Sequence, residues 1–182
     1  NTGLRLHPQR EVVILNADTE VHNDWLDRLL AMAAGNAKLA SITPLSNNAT
    51  ICSYPEPLHD NWLRLEIDDA ELDRLAARVN AGRLAEAPTG VGFCMFMRRA
   101  CLDAIGLLDE KNFGRGYGEE NDFCLRAAAM GWRNVLCETA YVVHLGGASF
   151  GPLDMAPGGE NLERLLARFE APFDLGGRPW HL

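Results

Sequence analysis

The stretch Glu11-Val12-Val13-Ile14-Leu15-Asn16-Ala17-Asp18-Thr19-Glu20 decides how this chain is read. Val12 to Leu15 are consecutive apolar residues with no polar alternation, the pattern of a strand buried on both faces. The polar residues that follow break the run and predict a turn at the strand's end, where α/β proteins place ligands. Asn16 and Asp18 carry side-chain oxygens one residue apart, and Ala17 between them points away, so the pair can face one cation. The same spacing suits an Asx turn that caps the next helix.

Working outward, a helix capped by Asn23 or Asp24 is expected to bury Leu26, Leu29, Leu30 and Ala33 and to stop at Gly35. Leu39 to Thr43 reads as a second strand, and the Asn-, Ser- and Pro-rich segment from Pro44 to Pro57 as a loop laid over a site. A helix from Asp69 to Ala81 would bury Leu72, Leu75, Ala76 and Val79 and stop at Gly82. Gly90 to Met97 reads as a strand, Arg99 to Ile105 as a short helix ended by Gly106, and Glu119 to Met130 as a helix ended by Gly131. Asn134 to His144 completes the strands, glycine and proline punctuate residues 146–159, and Glu160 to Glu170 forms a last helix. Strands alternating with helices predict an α/β sheet flanked by helices.

Composition narrows the function classes. The chain has 182 residues, 47% apolar and 23% charged, which is ordinary for one globular domain. Seventeen Lys and Arg against 25 Asp and Glu give a net charge of -8, the wrong sign for a nucleic-acid binder. No apolar run approaches the ~20 residues of a membrane span, and the N-terminal residues carry no apolar leader core. Five cysteines, odd in number and without C-x-x-C spacing, predict buried free thiols, a reducing compartment and a cytoplasmic domain.

Two further stretches carry polar groups suited to chemistry. In Gly114-Arg115-Gly116-Tyr117-Gly118-Glu119-Glu120-Asn121-Asp122, three alternating glycines make a loop able to close over a ligand. Four oxygen-bearing residues then open a helix, where the macrodipole favours carboxylates. Loop closure would desolvate a carboxyl there and raise its pKa toward a general base's range. Tyr117, in the loop, is placed to stack on a sugar face. The other stretch ends at His144, the strand-terminal histidine before Leu145-Gly146-Gly147; the remaining histidines lie in loops or near the ends. Arg98-Arg99 closes a strand and suits either a phosphate or a solvated cap, while Trp25, Phe93, Phe96, Phe123 and Trp132 read as core.

Taken in order, Leu15 to Glu20, Pro88-Thr89-Gly90-Val91-Gly92-Phe93, Gly116 to Asp122, Gly131-Trp132, Val143-His144 and Gly146-Gly147 resemble the inverting family 2 glycosyltransferases of GT-A fold. The resemblance runs from about Asn1 to Phe150. It implies a nucleotide-sugar donor, a glycan or lipid-linked acceptor, a divalent cation (Mg²⁺ or Mn²⁺) and, by analogy with bacterial relatives, surface polysaccharide synthesis with peripheral membrane association. Carried over by position, Asp18, His144 and Asn16 are the expected metal residues, Asn16 standing where the family's Asp-x-Asp motif begins. Glu119-Glu120 matches the family's acidic pair, with Glu120 as catalytic base and Glu119 beside it. Gly116, Tyr117, Gly118, Thr89, Gly90 and Asp122 are the expected acceptor or loop residues.

The resemblance also sets the expected fold class: an incomplete GT-A, Rossmann-like mixed sheet that lacks the N-terminal nucleotide-binding half. Residues 1–150 would be the C-terminal part of that domain and 151–182 a loop and helix. An edge left open along Val12 to Leu15 predicts self-association. The alternative to a transferase is a catalytically silent fragment that acts as a binding or interaction module. A third reading, a nucleotidyltransferase, also uses strand-end aspartates on an α/β sheet; it would need a glycine-rich basic triphosphate loop near its start, and this chain is expected to begin too late to show one.

Overall fold

The computed structural model describes residues 1–63, 65–114, 117–146 and 159–169. Its elements in chain order are α1 (Thr2–Leu6), β1 (Val12–Leu15), β2 (Thr19–Glu20), α2 (Trp25–Gly35), β3 (Leu39–Leu45), α3 (Asp69–Val79), β4 (Ala85–Ala87), β5 (Cys94–Met97), α4 (Arg99–Ile105), α5 (Glu110–Phe113), α6 (Glu119–Ala129), β6 (Arg133–Tyr141), β7 (Val143–His144) and α7 (Gly159–Phe169). Five strands form one sheet in the order β1-β5-β3-β6-β4. Only β3 and β6 pair in parallel; β1 with β5, β5 with β3 and β4 with β6 are antiparallel, so the sheet is mixed as expected. β2 and β7 make a separate two-stranded ribbon.

Period-two alternation along β5 builds two cores. Cys94 and Phe96 face Leu29 and Ala33 of α2, together with Ile42 and Val135. Met95 and Met97 face the opposite side, against Cys101 and Leu102 of α4 and Phe123, Cys124 and Ala127 of α6. The sheet therefore carries helices on both faces, and the C-terminal ends of β1 and β6 lead into the β2–β7 ribbon. α3 covers the far end of β6, packing Leu72 on Tyr141 and Val143.

Several expectations change on contact with the structure. β1 is an edge strand, so Val12, Val13 and Ile14 are half-buried and Leu15 is exposed, where burial on both faces was expected. Its outer edge has no strand partner among the described residues. Leu26 and Leu30 point outward from α2, and Val79 is exposed at the end of α3, because each helix touches the sheet along a narrower stripe than its apolar residues suggest. Neither Asn23 nor Asp24 caps α2 through its side chain; Asn23 instead bonds Asp73, which is fully buried against Arg28. Asp68 caps α3 by accepting from the Glu71 amide. The single strand expected over Asn134 to His144 breaks after Tyr141, and Val143-His144 turns away to pair with Thr19-Glu20.

All five cysteines are free and buried, with no pairing, as expected. Burial holds the Cys94, Cys101 and Cys124 thiols well above their usual range, so they are inert packing groups. Arg98 and Arg99 are engaged within the chain, Arg98 forming an ion pair with Glu11 at 3.6 Å. Arg98 donates to the carbonyls of Leu39, Ala33 and Asn36 and so finishes α2, while Arg99 donates to those of Arg10, Leu4 and His7. Among the described residues no helix is long and apolar enough to cross a membrane.

Candidate active site

The turn after β1 brings Asn16 and Asp18 against His144. The Asn16 amide N–H donates to the Phe93 carbonyl at 2.8 Å, which continues the β1–β5 ladder by one bond and fixes the start of the turn. Thr19 Oγ1 donates to the Asn16 carbonyl, and the Leu145 amide donates to the Asp18 carbonyl, so the turn is closed by its own backbone and by the β7 strand. Thr19 then stands opposite His144 in the β2–β7 ribbon. This two-residue pairing sets Asp18 and His144 side by side.

His144 is held from four directions. Its amide donates to Asn47 Oδ1 at 2.8 Å, and its carbonyl accepts from Asn47 Nδ2 at 3.1 Å. Its ring stacks on Phe93 with centroids 5.3 Å apart. Its Nδ1 lies 2.6 Å from the Asn48 carbonyl, which has only lone pairs to offer, so in the neutral ring Nδ1 carries the proton. The lone pair of Nε2 is thereby directed at Asn16 Nδ2, 3.4 Å away, and Asp18 Oδ1, 3.6 Å away. A backbone carbonyl fixing one ring nitrogen while the other faces a carboxylate is the arrangement that orients a metal-binding histidine. Gly146 allows the approach: its φ is +68°, and a Cβ there would sit 2.5 Å from Asn48 Nδ2.

Asp18 carries the strongest sign of a missing partner. Its side chain is 9% exposed, and Oδ1 is buried without a hydrogen bond, since 3.6 Å to Nε2 is too long for one. A buried carboxylate oxygen left unpaired is costly unless something positive meets it. Among the described residues no three His, Cys, Asp or Glu side chains converge closely enough to make a metal cluster. Asp18 and His144 supply two such donors, and the Asn16 amide is the third polar group beside them.

The acidic pair opens α6. Tyr117 (φ +61°) and Gly118 (φ +114°) turn the chain through the left-handed region, so Glu119 and Glu120 project from the first turn of α6. A side chain at Gly118 would press on the Phe113 ring, 3.0 Å from the Cβ position. The Gly118 amide donates to Glu120 Oε2 at 3.3 Å. Burial and then the neighbouring Glu119 carboxylate raise the Glu120 carboxyl from 4.5 to about 7. Burial also raises Glu119, whose Oε2 is shielded from water without a partner. Burial raises the Tyr117 phenol too, helped by both glutamates.

One dipeptide links the two groups. Phe93 stacks on His144 and accepts from Asn16, while its neighbour Gly92 faces Glu120, with the Cβ position 3.7 Å from Oε1. The other expected residues fall elsewhere. Thr89 is buried, and Gly90 packs between α6 and the sheet, its amide donating to Cys124 and its Cβ position 3.0 Å from Met95 and Thr43. Asp122 is fully buried and paired with Arg126 and Arg168, each at 2.8 Å. Gly116 and Gly147 lie outside the described residues. Sequence reasoning missed Asn47 and Asn48; the signal was the Asn-rich composition of their loop, which marked a site without saying which atoms it would hold.

Comparison with known proteins then decides the family. A profile described as glycosyltransferase like family 2 matches residues 1–154. The chain belongs to this family. Proteins of Mycobacterium bovis and Mycobacterium tuberculosis, themselves uncharacterised, are 33% identical to this family 2 chain over 133 residues, 72% of its length. That alignment covers 45% of the relatives, so the chain spans less than half of the curated proteins it matches. A crystal structure of GalNAc-T7 with UDP, GalNAc and Mn²⁺ superposes with a TM-score of 0.56 at 18% identity, covering 88% of this chain and 32% of that one. At that identity the likeness concerns the fold: the mixed sheet flanked by helices is GT-A-like.

Proposed function

We propose that this family 2 chain carries the cation-, diphosphate- and acceptor-handling part of an inverting, metal-assisted nucleotide-sugar glycosyltransferase. The observation that carries the reading is the buried Oδ1 of Asp18, which makes no hydrogen bond and lies 3.6 Å from His144 Nε2. Asp18 and His144 would hold a divalent cation, with the Asn16 amide oxygen available after rotation of its carboxamide. Oxygen and imidazole donors suit Mg²⁺ or Mn²⁺, and that Mn²⁺ accompanies UDP in the GalNAc-T7 structure supports the choice. Bound there, the cation would supply Lewis-acid stabilisation for the charge on a departing nucleoside diphosphate.

The chain's own residues account for the rest. Glu120, raised to about 7, is a carboxylate over much of the neutral range yet basic enough to take a proton from an acceptor hydroxyl. As that proton moves to Glu120, the acceptor oxygen forms a bond to the anomeric carbon. The bond from that carbon to the diphosphate oxygen breaks, and the leaving group keeps the electron pair. One displacement inverts the anomeric centre. Glu119 holds the Glu120 pKa up by its proximity, and Tyr117 stands beside both carboxyls, where its ring can meet a sugar. Gly90 ties its amide to Cys124 of α6, and Asp122 anchors α6 through Arg126. The donor would be a nucleotide sugar and the acceptor a glycan or lipid-linked glycan; a place in bacterial surface polysaccharide synthesis fits the bacterial relatives.

Calorimetry with a panel of nucleotide sugars, with and without Mn²⁺, tests the reading. Metal-dependent heat that disappears in Asp18→Asn supports it. Binding of a protein or glycan partner without any metal-dependent nucleotide heat supports the silent interaction module instead.

A further inference from the structure

α7 lies beyond the stretch that matches the family, yet it is fastened to the loop and helix that carry the acidic pair. Asn161 Nδ2 donates to the Phe113 carbonyl at 3.1 Å and to the Tyr117 carbonyl at 2.9 Å, bridging the two ends of the loop that leads into α6. Arg164 donates to the Asn112 carbonyl at 2.7 Å and braces Asn161 Oδ1 at 2.9 Å. Leu165, 2% exposed, closes over Gly118 beside Phe113. Arg168 joins Asp109 before α5 to Asp122 on α6. Apart from the Arg164–Asn161 brace within α7, these contacts land on Asp109, Asn112, Phe113, Tyr117, Gly118 and Asp122, the residues around the start of α6 that carries Glu119 and Glu120.

We infer that α7 is a strut for the acidic pair and that Asn161 is a positioning residue for Glu120. The geometry explains why a side chain with two N–H donors stands at 161. Tyr117 and Gly118 occupy positive φ, an unfavourable state for tyrosine, and such a conformation persists only where its surroundings hold it. A single carboxamide spanning Phe113 and Tyr117 fixes the loop's closure, and the Gly118 amide can then reach Glu120 Oε2. The titratable groups facing Glu120 are Glu119, Tyr117 and Cys124. The cations of α7 are engaged with Asn112, Glu160, Asp109 and Asp122, so α7 acts on Glu120 through loop position and water exclusion.

The consequence for turnover rests on the transferase reading; the positioning itself does not. The test uses the full chain carrying Asn161→Leu, which keeps about the size of the side chain, adds no charge and removes both donors. Carboxyl ¹³C resonances of labelled glutamate, with Glu120 assigned by its loss in Glu120→Gln, report the titration midpoint directly. Asn161→Leu is expected to hydrate Glu120, lowering that midpoint from about 7 by roughly one unit or more. Hydrogen exchange should speed up at residues 117–121 and stay unchanged in β3. Arg164→Gln, an exposed substitution that leaves the fold intact, should shift the midpoint the same way by less. If both variants keep the wild-type midpoint and exchange pattern, or lose thermal stability with no shift of the midpoint, α7 is only packing and the inference is overturned. Absence of Mn²⁺-dependent nucleotide-sugar binding by the wild-type chain would instead sink the transferase reading, and the titration would still decide the role of Asn161.

Discussion

The two halves of the candidate site are built in different ways. Asp18 and His144 are fixed by backbone pairing: a ladder bond to β5, the β2–β7 ribbon, and Asn47 gripping both the amide and the carbonyl of His144. Glu119 and Glu120 hang from a loop at positive φ that depends on side chains of a distant helix. The first half suits a role in which geometry stays constant, as in holding a cation and a diphosphate. The second suits a role that depends on a carboxyl kept at a set proton affinity, as in taking a proton. A site split in this way predicts that binding and turnover come apart under mutation.

The largest effect should come from Glu120→Gln, which removes the base and leaves the other half intact. Turnover is expected to fall by about 10²–10⁴-fold while Mn²⁺-dependent nucleotide-sugar affinity stays unchanged, read by steady-state kinetics beside calorimetry. Wild-type kcat/KM should rise with pH through an acid limb near 7, the value at which Glu120 of the free chain loses its proton. The sign for stability is the reverse. A carboxyl whose folded pKa is raised contributes stability below about 4.5 that is lost as pH climbs through 7, so Glu120→Gln should melt higher than wild type at pH 8 and equally at pH 4.

Asp18→Ala should give the complementary pattern, weakening metal-dependent nucleotide-sugar binding by on the order of 100-fold and leaving the Glu120 midpoint in place. A comparable loss of metal-free binding would break the division between the two halves. Smaller still is Asn47→Ala, which frees the His144 backbone: roughly 10-fold in metal-dependent affinity, with a stability cost of about 1–3 kcal/mol in urea titrations for the buried groups left unpaired. The least effect is expected at the sheet edge. If the open side of β1 pairs with a second copy, Leu15→Lys should shift sedimentation toward monomer with little change in melting. A wild-type chain that stays monomeric at high concentration removes that idea.

What the sequence disclosed follows from the range of the forces involved. α4 was legible to the residue because Gly106, at φ +90°, stops it locally. β1 and α6 were legible from an apolar run and from an acidic helix start. The β2–β7 ribbon was hidden, since two-residue strands of mixed polarity have no period to read, and pairing across more than a hundred residues creates them. For the same reason the turn, His144 and the acidic pair could be singled out as residue types, while the Asn47 and Asn48 contacts could not. Asp122 shows the opposite failure. It was grouped with the acidic residues of the loop, but its position on the inward face of α6 gives it to Arg126 and Arg168.

The central claim is that Asp18 and His144 share a cation, and paramagnetic broadening tests it most directly. Among the five histidine imidazoles, substoichiometric Mn²⁺ with UDP should broaden the resonance of His144 selectively. Asp18→Ala should restore its line width. Broadening spread evenly over all five rings, or centred on another histidine and indifferent to Asp18→Ala, would contradict the account.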